Sequence, residues 1–156
     1  MTLQEELHPH EKIIKVLKPS FWGYFWFYVF GLLLIIIPYK MYHDLAFFFG
    51  PVGVIFILWT ELRRRGTTYY ISNKRLIYEL KFITRNISST VYPRIQDLRM
   101  TQGIIDRIVG TGKIWINTAG TVSVEMMWRG VTSPIDIKRL IESHMMGKRA
   151  MAEDSV

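Results

Sequence analysis

The sequence predicts an α+β protein in which an N-terminal transmembrane α-hairpin is followed by a basic, mostly β domain that ends in a helix. Two long apolar runs, each without a charged side chain, lie within residues 19–60. Hydrophobic and polar residues then alternate with the period of a β-strand, and the last part of the chain returns to a helical period. A chain of 156 residues has room for one modest domain beside such a hairpin.

The first apolar run, residues 19–39, lies between Lys18 and Lys40. As a helix, residues 21–39 would extend about 28 Å, against about 30 Å for the hydrocarbon core of a bilayer. Aromatic residues that favour the membrane interface crowd its ends: Trp22, Tyr24, Trp26, Tyr28 and Tyr39. The run therefore predicts one membrane crossing.

The second apolar run, residues 45–60, lies between Asp44 and Glu61 and is slightly shorter. Its glycines and proline weaken a helix, although membranes tolerate them where neighbouring helices satisfy the backbone. These residues are Gly50, Pro51 and Gly53. We predict a second crossing, so that residues 21–60 form a two-helix transmembrane hairpin. A re-entrant second segment is the alternative that the short length leaves open.

Basic residues near the ends of the two runs predict the orientation. Three lysines precede the first run and the triplet Arg63, Arg64 and Arg65 follows the second, whereas only Lys40 lies between them. The positive-inside rule then places both termini, including a tail over residues 1–20, on the cytoplasmic side of a multi-pass protein of the cell (inner) membrane.

Two other interpretations of the apolar runs fit less well. A cleaved signal peptide would have a shorter apolar stretch followed by small residues, but a polar loop and a second apolar run follow here. A hairpin buried inside a soluble domain would need a large surface to cover its aromatic side chains, and too little chain remains to supply one.

The charge of the chain is concentrated after the hairpin. From Glu61 onward there are 16 Lys and Arg and 9 Asp and Glu, a difference of +7, against 4 of each before it. This part should therefore favour an anionic partner. The absence of cysteine excludes disulfides, thiolate nucleophiles and cysteine-ligated metal sites.

Alternation with a period of two predicts six strands, near residues 67–72, 75–80, 83–92, 95–101, 112–118 and 121–129. Residues suited to tight turns separate neighbouring strands. Ser72-Asn73-Lys74 follows the first strand, and Ala119-Gly120 precedes the last.

Two helices are predicted beside these strands. A short one covers Ile104–Val109 and is closed by Gly110. The C-terminal helix has Ser133 as its N-cap and Pro134 at its first position. We place the cytoplasmic domain at residues 61–149 and a flexible tail at 150–156.

Three stretches of this domain resemble the bacterial and archaeal pleckstrin-homology-like (PH-like) family, of the bPH2 or membrane-flanked type. They are YYISNKRLIYE from Tyr69, VYPRIQDLRMTQGIIDRIVGTGKIWINTAG from Val91 and SPIDIKRLI from Ser133. The resemblance implies a PH-like split β-barrel capped by a C-terminal α-helix, and a binding function in general. The family has seven strands where the alternation indicates six, and Glu79-Leu80-Lys81 stands where the family commonly has a glycine.

No combination of residues typical of an enzyme is present in the sequence. GTGK at Gly110–Lys113 lacks the first glycine and the Ser or Thr of a phosphate-binding loop. The four histidines are scattered, and the acidic residues Asp97 and Asp106 lie among basic ones. We therefore predict a non-catalytic protein without a cofactor or a metal.

The basic residues carry the functional signal. Arg63, Arg64 and Arg65 leave the second apolar run directly and should meet anionic headgroups. Further cations could extend this surface: Lys74, Arg75, Lys81, Arg85, Arg94 and Arg99. The alternative for any one of them is a solvated strand face. Nucleic acid is not expected as a partner, because an anchored domain searches little of it and no aromatic-basic reading motif is present.

The sequence thus predicts a membrane-anchored binding module. Its domain would recognise the anionic headgroups of membrane lipids, the tail of another membrane protein or a second copy of the chain. The alternative function is that of a structural or accessory subunit, in which the hairpin packs on partner helices and the domain is a scaffold.

Overall fold

The computed structural model describes residues 10–41, 43–118 and 126–153. In chain order the elements are β1 (Ile13–Leu17), a 3₁₀ helix (Phe21–Tyr24), α1 (Phe25–Met41), α2 (His43–Gly66), β2 (Thr67–Ser72), β3 (Arg75–Lys81), β4 (Arg85–Val91), a second 3₁₀ helix (Tyr92–Arg94), β5 (Ile95–Thr101), α3 (Ile104–Val109), β6 (Thr111–Thr118), β7 (Met126–Thr132) and α4 (Pro134–Glu153). The protein is therefore α+β, as predicted. Residues 119–125, with the predicted Ala119-Gly120 turn and the start of the last predicted strand, lie outside the described residues.

The strands form two antiparallel sheets, of order β1-β2-β3-β4 and β5-β6-β7. Within the described residues no strand of one sheet pairs with a strand of the other, so the two sheets do not close into a barrel through hydrogen bonds. This corrects the predicted split barrel to an open arrangement of two sheets. Side chains, not a continuous ladder, join the two sheets across the core.

Strand β1 was not predicted, because residues 1–20 were interpreted as a tail. Its Val16 pairs with Tyr70 and its Leu17 with Tyr69 of β2, more than fifty residues further along the chain. A bulge between Ile13 and Lys15 breaks the alternation that would have indicated a strand. The two helices are therefore inserted between the first and second strands of the domain and do not precede it.

Helices α1 and α2 pack against each other in antiparallel directions. Glycines permit their close approach: a Cβ added to Gly31 would lie 2.5 Å from Ile57 Cγ1, and one added to Gly53 would lie 2.8 Å from the carbonyl oxygen of Gly31. Pro51 lies inside a continuous α2. Gly53, one of the residues that weakened the prediction of this helix, is thus required for its packing against α1.

Only one of the described helices is both long enough and apolar enough to cross a membrane. It covers Phe21–Lys40, with a mean hydropathy of 1.9 and 6% of its residues buried. Within the described residues, helix α2 is not a second candidate. Two membrane-spanning helices were predicted, but only one candidate is found by length and hydropathy in the described part of the chain. Helix α2 packs along it.

The core lies between the two sheets and is covered by α4. Tyr69 of β2 stacks on Trp128 of β7 with the ring centres 5.0 Å apart. Helix α4 buries Ile137, Ile141 and Met145 on this core. Burial of these side chains supplies most of the free energy that holds the two sheets together.

The ends of α4 differ in detail from the prediction. Ser133 occupies the N-cap position, where its carbonyl oxygen accepts hydrogen bonds from the backbone N–H groups of Asp136 and Ile137. Its φ of 49° is left-handed, not the extended backbone usual at an N-cap. The helix continues to Glu153, past the predicted end of the domain at residue 149.

The domain has two ends, which we call the hairpin end and the far end. The hairpin end comprises the segments around residues 18–24 and 60–67, where the helices join the sheet. Strand β2 starts there and extends about 20 Å, at about 3.3 Å per residue, to the far end. At the far end the hydroxyl of Tyr92 donates to the carbonyl oxygen of Ser72, and Tyr92 stacks on His144 of α4.

Candidate functional site

The hairpin is fixed to the domain through close backbone contacts. The N–H of Ser20 donates to the carbonyl oxygen of Gly130 at 2.8 Å. A Cβ on Gly23 would lie 2.4 Å from the Cα of Gly130, so only glycine fits at this position. Gly66 is equally confined, since a Cβ there would lie 2.1 Å from the carbonyl oxygen of Lys81. Helices and sheets therefore meet at a defined angle, and side chains from both surround the junction.

Glu61 forms ion pairs with two arginines of the predicted triplet. Its Oε1 accepts from Arg64 Nη2 at 2.7 Å and from Arg65 Nε at 2.6 Å, and its Oε2 accepts from the Tyr28 hydroxyl at 2.5 Å. Hydrogen bonds from Arg64, and then from Tyr28, hold the pKa of Glu61 far below its usual range. Arg64 also donates to the carbonyl oxygen of Pro19. Arg64 and Glu61 thus tie the end of α2 to Pro19 and Tyr28 at the start of α1, whereas Arg65 is paired within α2.

A cavity of about 340 Å³ lies between the hairpin and the concave side of the sheets. We call it the junction cavity. Aromatic rings of both helices form one wall: Tyr24, Phe27, Phe56 and Trp59. The opposite wall comes from the domain: Thr67, Tyr69, Tyr78 and Met127. Thr60 completes the lining with two cations, Arg63 from the end of α2 and Arg129 from β7.

Arg129 is held in place from two directions. Its guanidinium carbon lies 5.0 Å from the ring centre of Phe27 and 5.7 Å from that of Tyr24. Its backbone N–H donates to the hydroxyl of Tyr69 at 2.9 Å, and the same hydroxyl donates to its carbonyl oxygen. Burial raises the pKa of Tyr69, so this hydroxyl keeps its proton.

The positive charge of the cavity is not balanced within the described residues. No described carboxylate forms an ion pair with Arg63 or with Arg129. Both guanidinium groups line a space that also offers apolar rings. Such a combination suits an anionic group attached to an apolar one.

A second, more open groove of about 670 Å³ lies on the outer side of the junction. Three cations border it, Lys18, Arg65 and Lys81, together with the hydroxyl-bearing Thr68 and Tyr70. Arg65 is paired with Glu61, and Lys81 lies 3.3 Å from a carboxylate oxygen of Glu79. Of these three cations only Lys18 forms no ion pair with a described residue, so the groove is less strongly positive than the junction cavity.

Glu79, in place of the expected glycine, is buried on the outer face of the first sheet. It accepts from Arg85 at 2.9 Å and from the hydroxyl of Tyr70 at 3.0 Å, beside Lys81. Burial acts to raise the pKa of Glu79, but the hydrogen bonds from Arg85, Tyr70 and Lys81 outweigh it and lower the pKa. Arg85 and Lys81 thus serve the structure of the sheet.

The structure divides the predicted basic surface into separate parts. Arg63, Arg64 and Arg65 lie at the junction. Lys74 and Arg75 lie at the far end, where Arg75 Nε is 3.0 Å from the buried carboxylate of Glu11. They are about 20 Å from the triplet, at about 3.3 Å per residue of β2.

The remaining two predicted residues also lie away from the junction cavity. Arg94 belongs to the second 3₁₀ helix, at the far end. Arg99 forms an exposed ion pair with Asp97 at 2.8 Å on β5. These residues therefore fit the alternative interpretation, a solvated face, better than a shared binding surface.

Sequence reasoning missed Arg129 and did not include Lys18 in the binding surface. Lys18 had a signal, because it borders the first apolar run directly. Arg129 had none, since tertiary contacts such as that of Gly23 with Gly130 bring β7 against the hairpin. Among the described residues, no group of three or more His, Asp or Glu side chains could hold a metal ion.

Comparison with solved structures supports the fold. The chain is similar to a DUF1696 family protein with a pleckstrin-homology domain from Shewanella loihica PV-4, with a TM-score of 0.51 and 10% identity. The match covers 92% of this chain and 89% of that one. At this identity the likeness establishes a PH-like fold and nothing about a ligand. No curated protein matches the sequence.

The family profile described as the bacterial PH domain matches residues 14–145. The matched range begins in β1 and includes both helices, so the inserted hairpin lies within the family match. The resemblance seen in the sequence is thereby confirmed, and it supports a binding module in general. This chain belongs to the bacterial PH domain family.

Proposed function

We propose that the protein is a membrane-anchored binding module whose junction cavity holds the headgroup of an anionic phospholipid. The hairpin of residues 21–60 would span the cell membrane with both termini in the cytoplasm. The apolar exposed helix at Phe21–Lys40 supports the anchoring, and the basic residues that flank the hairpin support the orientation. The family match supports the role of a binding module.

The observation that carries the proposal is that Arg63 and Arg129 line one cavity, whose wall is formed by the start of α1 and the later turns of α2. Two guanidinium groups can hold a phosphate with several hydrogen bonds, and a cation near an anionic membrane contributes about 1 kcal/mol. The rings of Phe27, Phe56 and Trp59 would contact the glycerol and the first carbons of the acyl chains. A phospholipid offers both chemistries in one molecule.

The other cations of the junction have different roles in this proposal. Arg64 and Arg65 stay paired with Glu61, and Arg64 also holds the end of α2 to Pro19. Lys18 and Lys81 raise the local positive potential, which concentrates anionic lipids around the cavity without discriminating among them.

The test measures lipid affinity with the full chain in a neutral detergent. Short-chain phosphatidylglycerol and short-chain phosphatidylcholine are titrated by calorimetry. The parent should prefer phosphatidylglycerol, and a double variant, Arg63→Gln with Arg129→Gln, should lose affinity for it by about tenfold or more. The matched control, Arg94→Gln with Arg99→Gln, removes the same charge elsewhere and should bind as the parent does.

Two results would overturn the proposal. In the first, the Arg63 and Arg129 double variant binds phosphatidylglycerol as tightly as the parent. In the second, the parent does not distinguish the two lipids. If it then co-purifies with a stoichiometric membrane protein, or with a second copy of itself, the alternative of an accessory subunit or a partner-binding module is favoured.

A further inference from the structure

The three most exposed large apolar side chains of the described residues all belong to the domain, not to the apolar helices. Ile83 is 85% exposed, Ile104 83% and Ile108 81%, against 78% for Phe47 of α2. Transfer of an exposed isoleucine out of water is favourable, so these three side chains are candidate contacts with an apolar phase.

Ile83 lies at the tip of the loop between β3 and β4. The preceding residue, Phe82, contacts Trp59 of α2 edge to face, with ring centres 4.7 Å apart. Trp59 closes the apolar run of α2. Ile83 therefore lies near the end of the apolar run of α2.

Ile104 and Ile108 come from a different segment, the short helix α3. They are four residues apart and so share one side of the helix. Asp106 is directed to the domain, where it accepts from the N–H of Gly103 and from the hydroxyl of Thr111. Helix α3 also lies against the 3₁₀ helix Phe21–Tyr24, from which α1 begins. Its exposed isoleucines are thus at the level where the first apolar helix starts.

We infer that Ile83, Ile104 and Ile108 insert into the lipid interface, so that the domain rests on the membrane through two separate segments. Basic residues accompany both segments, Lys81 beside the loop and Arg107 on α3, and suit an anionic surface. The inference rests on the proposed membrane anchoring. It adds that the bilayer covers these side chains and fixes the junction cavity at the depth of the headgroups.

The absence of cysteine makes a direct test possible. Full chains carrying one cysteine each, Ile83→Cys, Ile104→Cys or Ile108→Cys, are labelled with the fluorophore NBD and reconstituted in nanodiscs of phosphatidylcholine and phosphatidylglycerol. Inserted probes should show blue-shifted emission and lose intensity with lipids that carry a spin label near the headgroup.

Two control positions distinguish failure of this inference from failure of the proposed anchoring. Met146→Cys, 70% exposed on α4 near the far end, should stay unshifted and unquenched. Leu33→Cys, on α1, should be quenched by spin labels deep in the acyl chains. Quenching at Leu33 with none at Ile83, Ile104 and Ile108 would overturn this inference and leave the anchoring intact. No quenching at Leu33 would overturn the anchoring itself.

The experiment must also distinguish burial of these positions by protein from burial by lipid. Blue-shifted emission at the three isoleucine positions that persists without quenching by the shallow labels would mean that protein covers them. That result would also overturn the inference. Nanodiscs assembled with a single copy per disc exclude a second copy of the chain as the source of the shift.

Discussion

The guanidinium of Arg129, on the last strand of the domain, lies 5.0 Å from the ring centre of Phe27 in the first turns of α1. This contact joins the domain to the hairpin and leaves the charge of Arg129 directed at the junction cavity. A single side chain therefore has a structural contact and a candidate ligand contact, and the two can be separated by substitution.

Replacement of Arg129 by methionine should separate them. Arg129→Met keeps a long apolar side chain against Phe27 and Tyr24, so the free energy of unfolding should change by less than about 1 kcal/mol. The affinity for short-chain phosphatidylglycerol should nevertheless fall. Denaturation in detergent and calorimetric titration measure the two quantities. Arg99→Met is the control, and it should change neither. Unchanged affinity of Arg129→Met for phosphatidylglycerol would assign the residue a structural role alone.

Replacement of Gly23 by alanine should disrupt the junction. The new Cβ would lie 2.4 Å from the Cα of Gly130, so the 3₁₀ helix and β7 must separate. We expect a loss of about 2 kcal/mol or more in the free energy of unfolding, together with proteolytic cleavage between β1 and α1.

The matched control for that variant is Gly50→Ala in α2. A Cβ there meets no atom within 4 Å, and alanine favours a helix by about 1 kcal/mol over glycine. It should leave the melting temperature unchanged or raise it. Equal stability of Gly23→Ala and the parent would contradict the close contact between the hairpin and the domain.

The buried carboxylate of Glu79 should make stability depend on pH. Its pKa is lower in the folded chain than in the unfolded one, near 4.3. Its contribution is therefore complete above the unfolded pKa and is lost as the pH falls through the folded pKa. The free energy of unfolding of the parent should decline below about pH 4.5.

Glu79→Gln should be less stable than the parent at pH 7, by about 2 kcal/mol, because Arg85 loses a charged partner. The difference from the parent should shrink as the pH is lowered. The pKa of Glu61 is also lowered, so Glu61 likewise makes stability decline at low pH. The Glu79→Gln variant should therefore keep part of the pH dependence of stability seen in the parent. A difference between variant and parent that is constant from pH 7 to about pH 3 would contradict the role of Glu79.

The domain should need β1 in order to fold. A fragment of residues 62–149 lacks the strand that pairs with β2, and β2 then exposes an unpaired edge. We expect this fragment to aggregate or to show weak circular dichroism. Residues 10–20 joined by a Gly-Ser linker to residues 66–153 should restore a cooperative thermal transition. A stable monomer of residues 62–149 would contradict this dependence on β1.

Most of the fold could be predicted from local patterns. The strands near 67–72, 75–80 and 95–101 agree with β2, β3 and β5, and α3 agrees with the predicted Ile104–Val109. Periodicity of hydrophobic residues is a property of neighbouring positions in the sequence, so it indicates these elements directly. Strand β1 was missed, because it is short, bulged and stabilised by a partner distant in the sequence.

The candidate site was predictable only in part. The arginine triplet could be placed at the end of the second helix because it follows an apolar run. The separation of Lys74 and Arg75 from the triplet was not predicted, although the length of the strand predicted at residues 67–72 already implies about 20 Å between them. The ion pairs of Glu61 with Arg64 and Arg65 were not predicted, although their spacing of three and four residues on one helix is a local signal for them.

The sequence by itself determined the apolar runs, the basic character of the domain and the resemblance to the PH-like family, because composition and period are local properties. Only the tertiary structure decided that β1 belongs to the first sheet, that Arg129 joins Arg63 in one cavity and that three isoleucines surround the hairpin end. These relationships depend on contacts between segments far apart in the chain. Strand pairing and the packing of Gly23 on Gly130 bring those segments together.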